Sequence, residues 1–307
     1  MIIYVIFIKQ LQMNKPVYKL RDWIDINKIN WSYFSENRKA IELLEANKDR
    51  INWFCLSENI NAIELLKANP DKIDWYFLSK NPNAIELLEA NQNKINWCTL
   101  SKNPNAIKLL EANTDKINWK CFSSNKNAIE LLKANPEKID WFYLSSNPSA
   151  IELLKANYDK INWHQLSLNP CAIELLTANP EKIDWSLLSE NPNAMKLLEA
   201  NKNKIDWYNL SINPKAIKLL KANPDKINWE ILSLNTNIEA MELLKANSNK
   251  INWYYLSSNP NIYKLDYKQM EINFEPLAEE IVAKSLHPKR IERLMRDYNF
   301  DFEDWFD

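Results

Sequence analysis

Two histidines and four cysteines are the side chains from which a metal site or an activated nucleophile would be built in this chain, and their spacing supports neither. His287 stands before Pro288 and reads as part of a helix N-cap region. His164 has no matched nucleophile or carboxylate pair in a fixed relation to it. Cys55, Cys98, Cys121 and Cys171 show no CxxC spacing and no neighbouring His pair, so reduced, buried thiols are expected rather than a zinc site or a disulfide framework. The chain also contains no Gly, where average usage would give roughly 20. That removes the glycine-dependent dinucleotide fingerprint, phosphate loop and nucleophile elbow. The expectation is a non-enzymatic protein with no catalytic residues, no cofactor and no metal.

Charge excludes a second group of functions. With 39 basic and 40 acidic residues the net charge is −1, so nothing draws the whole chain toward nucleic acid or anionic lipid. At 46% hydrophobic the chain has ample material for a core. The apolar start Met1 to Ile8 is too short to span a bilayer and lacks a preceding basic region, so it does not read as a secretory signal. It is a short strand or anchor, or Met13 is the true start.

What the sequence does show is a period. Trp31, Trp53, Trp75, Trp97, Trp119, Trp141, Trp163, Trp185, Trp207 and Trp229 are spaced by 22, and Trp253 follows after 24. Such a period signals a repeat array. The two extra residues fall near Thr236 to Glu239, between two elements, where a solenoid tolerates insertion. Eleven repeats thus run from about Lys28 to Pro260.

Residues Ile73 to Asn91 serve as the type repeat. Asp74, elsewhere Asn, is a good N-cap for a first short helix, on which Trp75 and Leu78 share a face. Asn81 caps a second helix with Pro82 in its first position, running to Ala90. Ala84, Ile85, Leu87 and Leu88 make that helix apolar over all but a narrow strip, so neighbouring repeats must cover it. An Asn follows an Ala at the end of each second helix, as in Asn47, Asn69 and Asn91. There a left-handed residue is expected, and Asn is the usual substitute for Gly. A leucine-rich repeat would also fit the period, but the alternating apolar positions of a strand are missing. The reading is an all-α fold, an elongated α-solenoid of eleven helix-turn-helix repeats, on the order of 100 Å along its arc.

The repeat resembles the short Trp/Asn-rich repeats of form IDWxxLSxNPxAIxLLxANPxK found in proteins of mimivirus-like giant viruses. His287-Pro288-Lys289-Arg290-Ile291-Glu292-Arg293-Leu294 resembles the segment that often closes such proteins. The resemblance implies a viral origin and an intracellular site of action, in host cytoplasm or virion, and supplies no activity.

Recognition belongs where the repeats differ, because the constant positions report packing and capping. The two residues after each Trp vary and are rich in aromatics. Candidate partner-binding residues there are Tyr76, Phe77, Phe142, Tyr143, His164, Tyr208, Tyr254 and Tyr255. Five residues after Trp, Glu36, Glu58, Lys80, Lys102, Ser124 and Ser146 give way to Leu168, Glu190, Ile212, Leu234 and Ser258, a more apolar edge that adds Leu168, Ile212 and Leu234. The same variable residues read equally well as filling for the outer layer of a small helix. A basic ladder, Lys28, Arg50, Lys72 and their equivalents to Lys250, follows each second helix. It reads as macrodipole complement and solvated surface rather than a phosphate track. Glu64, Glu86, Glu130, Glu152 and Glu174 read as pairing with residues three on, such as Lys67, Lys133 and Lys155, as helix-surface support.

Three segments are expected: residues 1–27 as N-terminal extension and cap, with Trp23 in the capping stretch, residues 28–262 as the array, and residues 263–307 as a helical C-terminal cap with an acidic tail. Helical runs are expected near Pro276 to Leu286 and Pro288 to Tyr298. The expected role is a monomeric scaffold for protein–protein interaction, directed at a host protein, with no membrane partner. A structural virion component and a single-stranded RNA binder taking one base per repeat are the alternatives.

Overall fold

The computed structural model describes residues 16–273 together with His287, Lys289 and Arg293. The expected helical runs Pro276 to Leu286 and Pro288 to Tyr298, the acidic tail and the apolar start fall outside the described residues or rest almost wholly on undescribed ones. Within the described residues the chain is an all-α solenoid of regularly repeating helix pairs, with one two-stranded sheet outside the repeats. It divides into two bodies: one of Trp23–Ile262, holding all the repeats, and one formed by the segments before and after it in sequence.

Each repeat begins as expected. The Asp or Asn before every Trp accepts the backbone N–H three residues on, at 2.9–3.3 Å, and opens a first helix of four to six residues such as Trp75–Lys80. The second helix starts later than Pro82 suggests and spans Ile85–Glu89. Asn81 is the reason: its carbonyl takes the Ala84 N–H and its side-chain oxygen takes the Asn83 N–H, which winds Pro82 to Ala84 into a tight turn ahead of the α-helix. A third element, a one-turn 3-10 helix such as Pro70–Lys72, links each repeat to the next. In repeat ten the two extra residues are absorbed by a longer second helix, Ile238–Ala246, capped by Asn237.

The Asn closing each second helix is not left-handed. Its φ lies between −138° and −127° and its ψ between 47° and 62°. Its amide instead donates to the carbonyl four residues back, at 2.8–3.0 Å, satisfying an orphan acceptor of the helix end by a side chain. With φ negative at all these positions a Cβ costs nothing, which is why the chain manages without Gly.

Between the helix layers lies the core. In the type repeat Leu78, Ala84 and Leu88 are fully buried and Ile73 nearly so, while Ile85 and Leu87 are half-buried and Ala90 is exposed. Coverage of the second helix is therefore less complete than its apolar sequence suggests. The Glu64–Lys67, Glu130–Lys133 and Glu152–Lys155 pairs form as expected, at 3.0, 2.9 and 3.1 Å.

Two side chains fasten each repeat to its predecessor. The Asn six residues after Trp is buried, and its amide donates to two carbonyls of the previous repeat, that of the Ser at 2.9–3.2 Å and that of the equivalent Asn at 2.8–3.1 Å. The Ser four residues after Trp donates to the Trp carbonyl and accepts the backbone N–H of the next repeat's N-cap residue, at 2.9–3.1 Å. Both ladders run through buried ground, where an unmade bond is costly.

The ladders have no end. Asn37 of the first repeat donates to the carbonyls of Ser257 and Asn259 in the eleventh, at 3.2 and 3.0 Å, and the Asn30 N–H donates to Ser257 Oγ at 2.9 Å. The first helices of these two repeats, Trp31–Phe34 and Trp253–Ser258, pack on one another as consecutive repeats do. The array therefore closes on itself, and each repeat turns by about 33° relative to the last. This replaces the elongated arc expected from the sequence, and the apolar faces that a cap would have covered are covered by each other.

In the second body, strand β1 (Tyr18–Leu20) pairs antiparallel with strand β2 (Tyr263–Leu265), and a further helix starts at Tyr267. Lys264 and Lys19 bind Asp22 and Asp266 and hold both carboxyls below their ordinary range.

Closure makes a prediction that an open array does not share. Asn37→Ala and Asn147→Ala should each destabilise by about 2–3 kcal/mol, since each leaves two buried carbonyls short of a donor. Urea unfolding midpoints of the two variants should match; a near-neutral Asn37→Ala would show the first repeat to be a free end.

Candidate functional site

The first helices lie against each other from repeat to repeat more closely than the second helices do. In a closed array the more tightly spaced layer is the inner one, so the first helices form the inner wall. With neighbouring helices about 8–10 Å apart, eleven of them enclose an opening on the order of 20 Å wide between helix surfaces.

The constant face of each first helix is spent on packing: the Leu three residues after Trp and the Ser beyond it are buried throughout the array wherever the chain keeps those residues. The residue directly after Trp is left outside in every repeat but those of Ser32 and Ser186, which are half-buried. Phe54, Tyr76, Phe142, Tyr208 and Tyr254 are exposed large apolar side chains, and His164 is exposed as well. Phe77, Tyr143, Tyr255, Leu168, Ile212 and Leu234 are half-buried beside them. Phe54, at 60% the most exposed of the aromatics that follow a Trp, belongs to this set although it was not among the expected residues. Its signal, an aromatic directly after Trp, is the same one that pointed to Tyr76.

Contacts gather these residues into groups. Phe54, Tyr76 and Phe77 form one aromatic group, with ring centroids 6.3 Å apart for Phe54–Phe77 and 5.2 Å for Tyr76–Phe77. Lys80 lies over both Tyr76 and Phe77 and is paired with Glu58 at 3.3 Å. Phe142 and Tyr143 form a second group, and Lys102 and Lys120 both reach the Tyr143 ring, at 5.7 and 5.4 Å. Lys102 does so across an intervening repeat, which is possible where side chains converge toward the inside of a curve. Tyr254 and Tyr255 join Tyr33 of the first repeat, the Tyr33 and Tyr254 rings 3.9 Å apart at centroid. Tyr208 stands apart from these aromatic groups. The expected apolar edge is interrupted, because exposed Glu190 occupies the position between Leu168 and Ile212.

His164 uses Nδ1 at 2.6 Å from Asp184, the N-cap residue of the next repeat. Burial would raise the Asp184 carboxyl, but the Leu187 N–H and His164 together outweigh it and hold that carboxyl low. The His is thus tied to a cap and has the geometry of a repeat-to-repeat contact.

The basic ladder is committed elsewhere. Each of ten cations from Lys28 to Lys250 lies over the Trp ring of the preceding repeat, 4.5–5.4 Å from its centroid, and Lys28 does so on Trp253 across the closure. Sequence reasoning assigned these cations to the macrodipole because the indole partner lies in another repeat, 19 residues back in most cases.

The four thiols differ in surroundings. Cys98 and Cys171 are exposed, Cys55 is half-buried and Cys121 is buried, so only part of the set matches the buried thiols expected. Burial, reinforced by Glu36, pushes the Cys55 thiol up to about 12, and burial with Cys98 beside it pushes Cys121 to about 11. Among the described residues no helix is long and apolar enough to cross a membrane. No family model matches the chain, and no curated protein or solved structure matches it.

A thiol whose pKa is raised is protonated at pH 8 and alkylates slowly. Iodoacetamide at that pH should modify Cys98 and Cys171 well before Cys55 and Cys121, read by peptide mass mapping over time. Labelling of Cys55 as fast as Cys171 would contradict its placement.

Proposed function

We propose that this chain is a non-enzymatic binding ring, a scaffold for protein–protein interaction whose inner, aromatic-lined wall receives a polypeptide segment of the partner. One observation carries the reading: the residue directly after Trp, at one of the two positions that vary most from repeat to repeat, is also the one that leaves large aromatic side chains exposed, as Phe54, Tyr76, Phe142, Tyr208 and Tyr254 do. Constant residues are consumed by capping, core and ladder, so a surface that varies on such a frame is free to be shaped by a partner. Exposed Tyr and Phe supply large contact area at low entropic cost, as interface anchors do.

The wall carries both signs of charge in sectors. Glu36 and Glu58 stand in the first two repeats, Lys80, Lys102 and Lys120 in the next three, and Glu190 and Glu230 further round. A partner segment with mixed charge and aromatic or aliphatic anchors complements this pattern better than a uniformly anionic polymer does. The stacking of the long cationic ladder on Trp rings likewise counts against an RNA track, since phosphate would have to compete with the indoles. The resemblance to giant-virus repeat proteins extends the proposal: a viral protein acting inside the host cell, with a host protein as its partner.

Affinity purification from infected or transfected host cells tests the reading when two variants are compared with the parent. Tyr76→Ser, Phe142→Ser and Tyr208→Ser combined should lose a co-purifying protein at least tenfold, and Leu168→Ser, Ile212→Ser and Leu234→Ser combined should weaken its capture. Ile238→Ser, exposed on a second helix, should leave it unchanged. Equal recovery with all three would overturn the assignment of the inner wall.

A further inference from the structure

Cys98 and Cys121 belong to adjacent repeats, yet their Sγ atoms lie 3.1 Å apart. A disulfide needs about 2.0 Å, so closing the pair takes roughly 1 Å of side-chain movement. The proximity follows from the fold. Cys98 is directly after its Trp and Cys121 is second after the next Trp, an offset of 23 residues. The same offset brings Thr99 Oγ1 to the Tyr76 carbonyl at 3.1 Å, Asn209 Nδ2 to Ser186 Oγ at 2.8 Å, and the Phe54 and Phe77 rings together. Only between the fourth and fifth repeats do both of these positions carry a thiol.

We propose that Cys98 and Cys121 are a dithiol site that a low-molecular-weight disulfide, such as glutathione disulfide, converts reversibly to an intramolecular disulfide joining the fourth and fifth repeats. Exposed Cys98 is the attacking group and buried Cys121 the resolving one. The Cys98 thiolate attacks one sulfur of the small disulfide, forming a mixed disulfide and releasing one small thiol. Cys121 then gives up its proton and attacks the Cys98 sulfur, forming the Cys98–Cys121 bond and releasing the second small thiol. The protein pair loses two electrons and two protons, and the small disulfide gains both. Lys102 and Lys120 favour the Cys121 thiolate, against the burial and the neighbouring sulfur that hold its pKa up, so they lower the barrier of the second step. The site stands beside the Tyr143 group that these lysines also touch, but it does not depend on the binding role proposed above.

The test uses the full chain, reduced, freed of reductant and incubated with glutathione disulfide at pH 8. Peptide mapping should show a linked Cys98–Cys121 peptide two hydrogens lighter than its two parts, with neither thiol accepting iodoacetamide after denaturation, and the link should vanish on reduction, whatever adduct exposed Cys171 carries. Cys98→Ser should abolish the linked peptide, and Cys171→Ser should not. Cys121→Ser should stop at a glutathione adduct on Cys98. Because Cys121 is buried, the mapping of the parent and of Cys98→Ser decides the matter even where Cys121→Ser fails to fold. A persistent glutathione adduct on Cys98 of the parent, a disulfide between two chains, or four free thiols after incubation would each overturn the proposal.

Discussion

The buried amide of the Asn six residues after each tryptophan is the contact on which the rest depends. It donates twice, to two carbonyls of the previous repeat, while its side-chain oxygen holds the turn that launches the second helix of its own repeat. One side chain thus fixes both the fold of a repeat and its placement on its neighbour. An apolar residue of similar size could fill the space but would leave the buried Ser carbonyl without a donor and the Asn carbonyl with one donor instead of two, and in that setting the loss exceeds what packing returns. The Ser ladder does the same for the first helix, tying its carbonyl end to the N-cap of the next repeat. Side-chain hydrogen bonds here replace the direct backbone pairing by which β-structures join their repeats.

Much of this was legible in the sequence where it depends on neighbours along the chain. The 22-residue period, the N-cap role of Asp74 and its equivalents, and the Glu–Lys pairs at spacing three follow from local rules, and each appears in the structure. What failed did so for identifiable reasons. Asn91 looked like a left-handed stand-in for Gly because that is the common way to end a helix; here its amide reaches back to Leu87 and the backbone stays at negative φ. The stacking of Lys94 on Trp75 and the bonds of Asn81 to Ser57 and Asn59 were invisible because each partner lies in a different repeat, so both require knowing how repeats superpose.

Closure was harder still to read. It depends on a rotation per repeat that, multiplied by eleven, returns the chain to its start, and an error of a few degrees in each step would leave a gap or an overlap. No single residue encodes that angle. It emerges from the difference between the closely packed first helices and the more widely spaced second ones, set by side chains such as Leu78 and Ala84 that are ordinary core residues in isolation. The candidate face was partly legible for the opposite reason. Variation at Tyr76, Phe142 and Tyr208 stands out against constant neighbours, but which of the two residues after each Trp would be exposed depended on the curvature.

An open solenoid can fray, because its last repeat has a single neighbour and can detach while the others remain. A closed one offers no such starting point. To release any segment it must break at two seams at once, so the first opening event is a high barrier and unfolding is slow even where each seam is modest. The reverse step carries its own penalty. The final seam joins residues as far apart as Asn30 and Ser257, and drawing together the ends of so long a chain costs roughly 5 kcal/mol of loop entropy before the last bonds form. The molecule is therefore built to assemble late and come apart rarely, a kinetic durability that comes from topology rather than from any one strong contact.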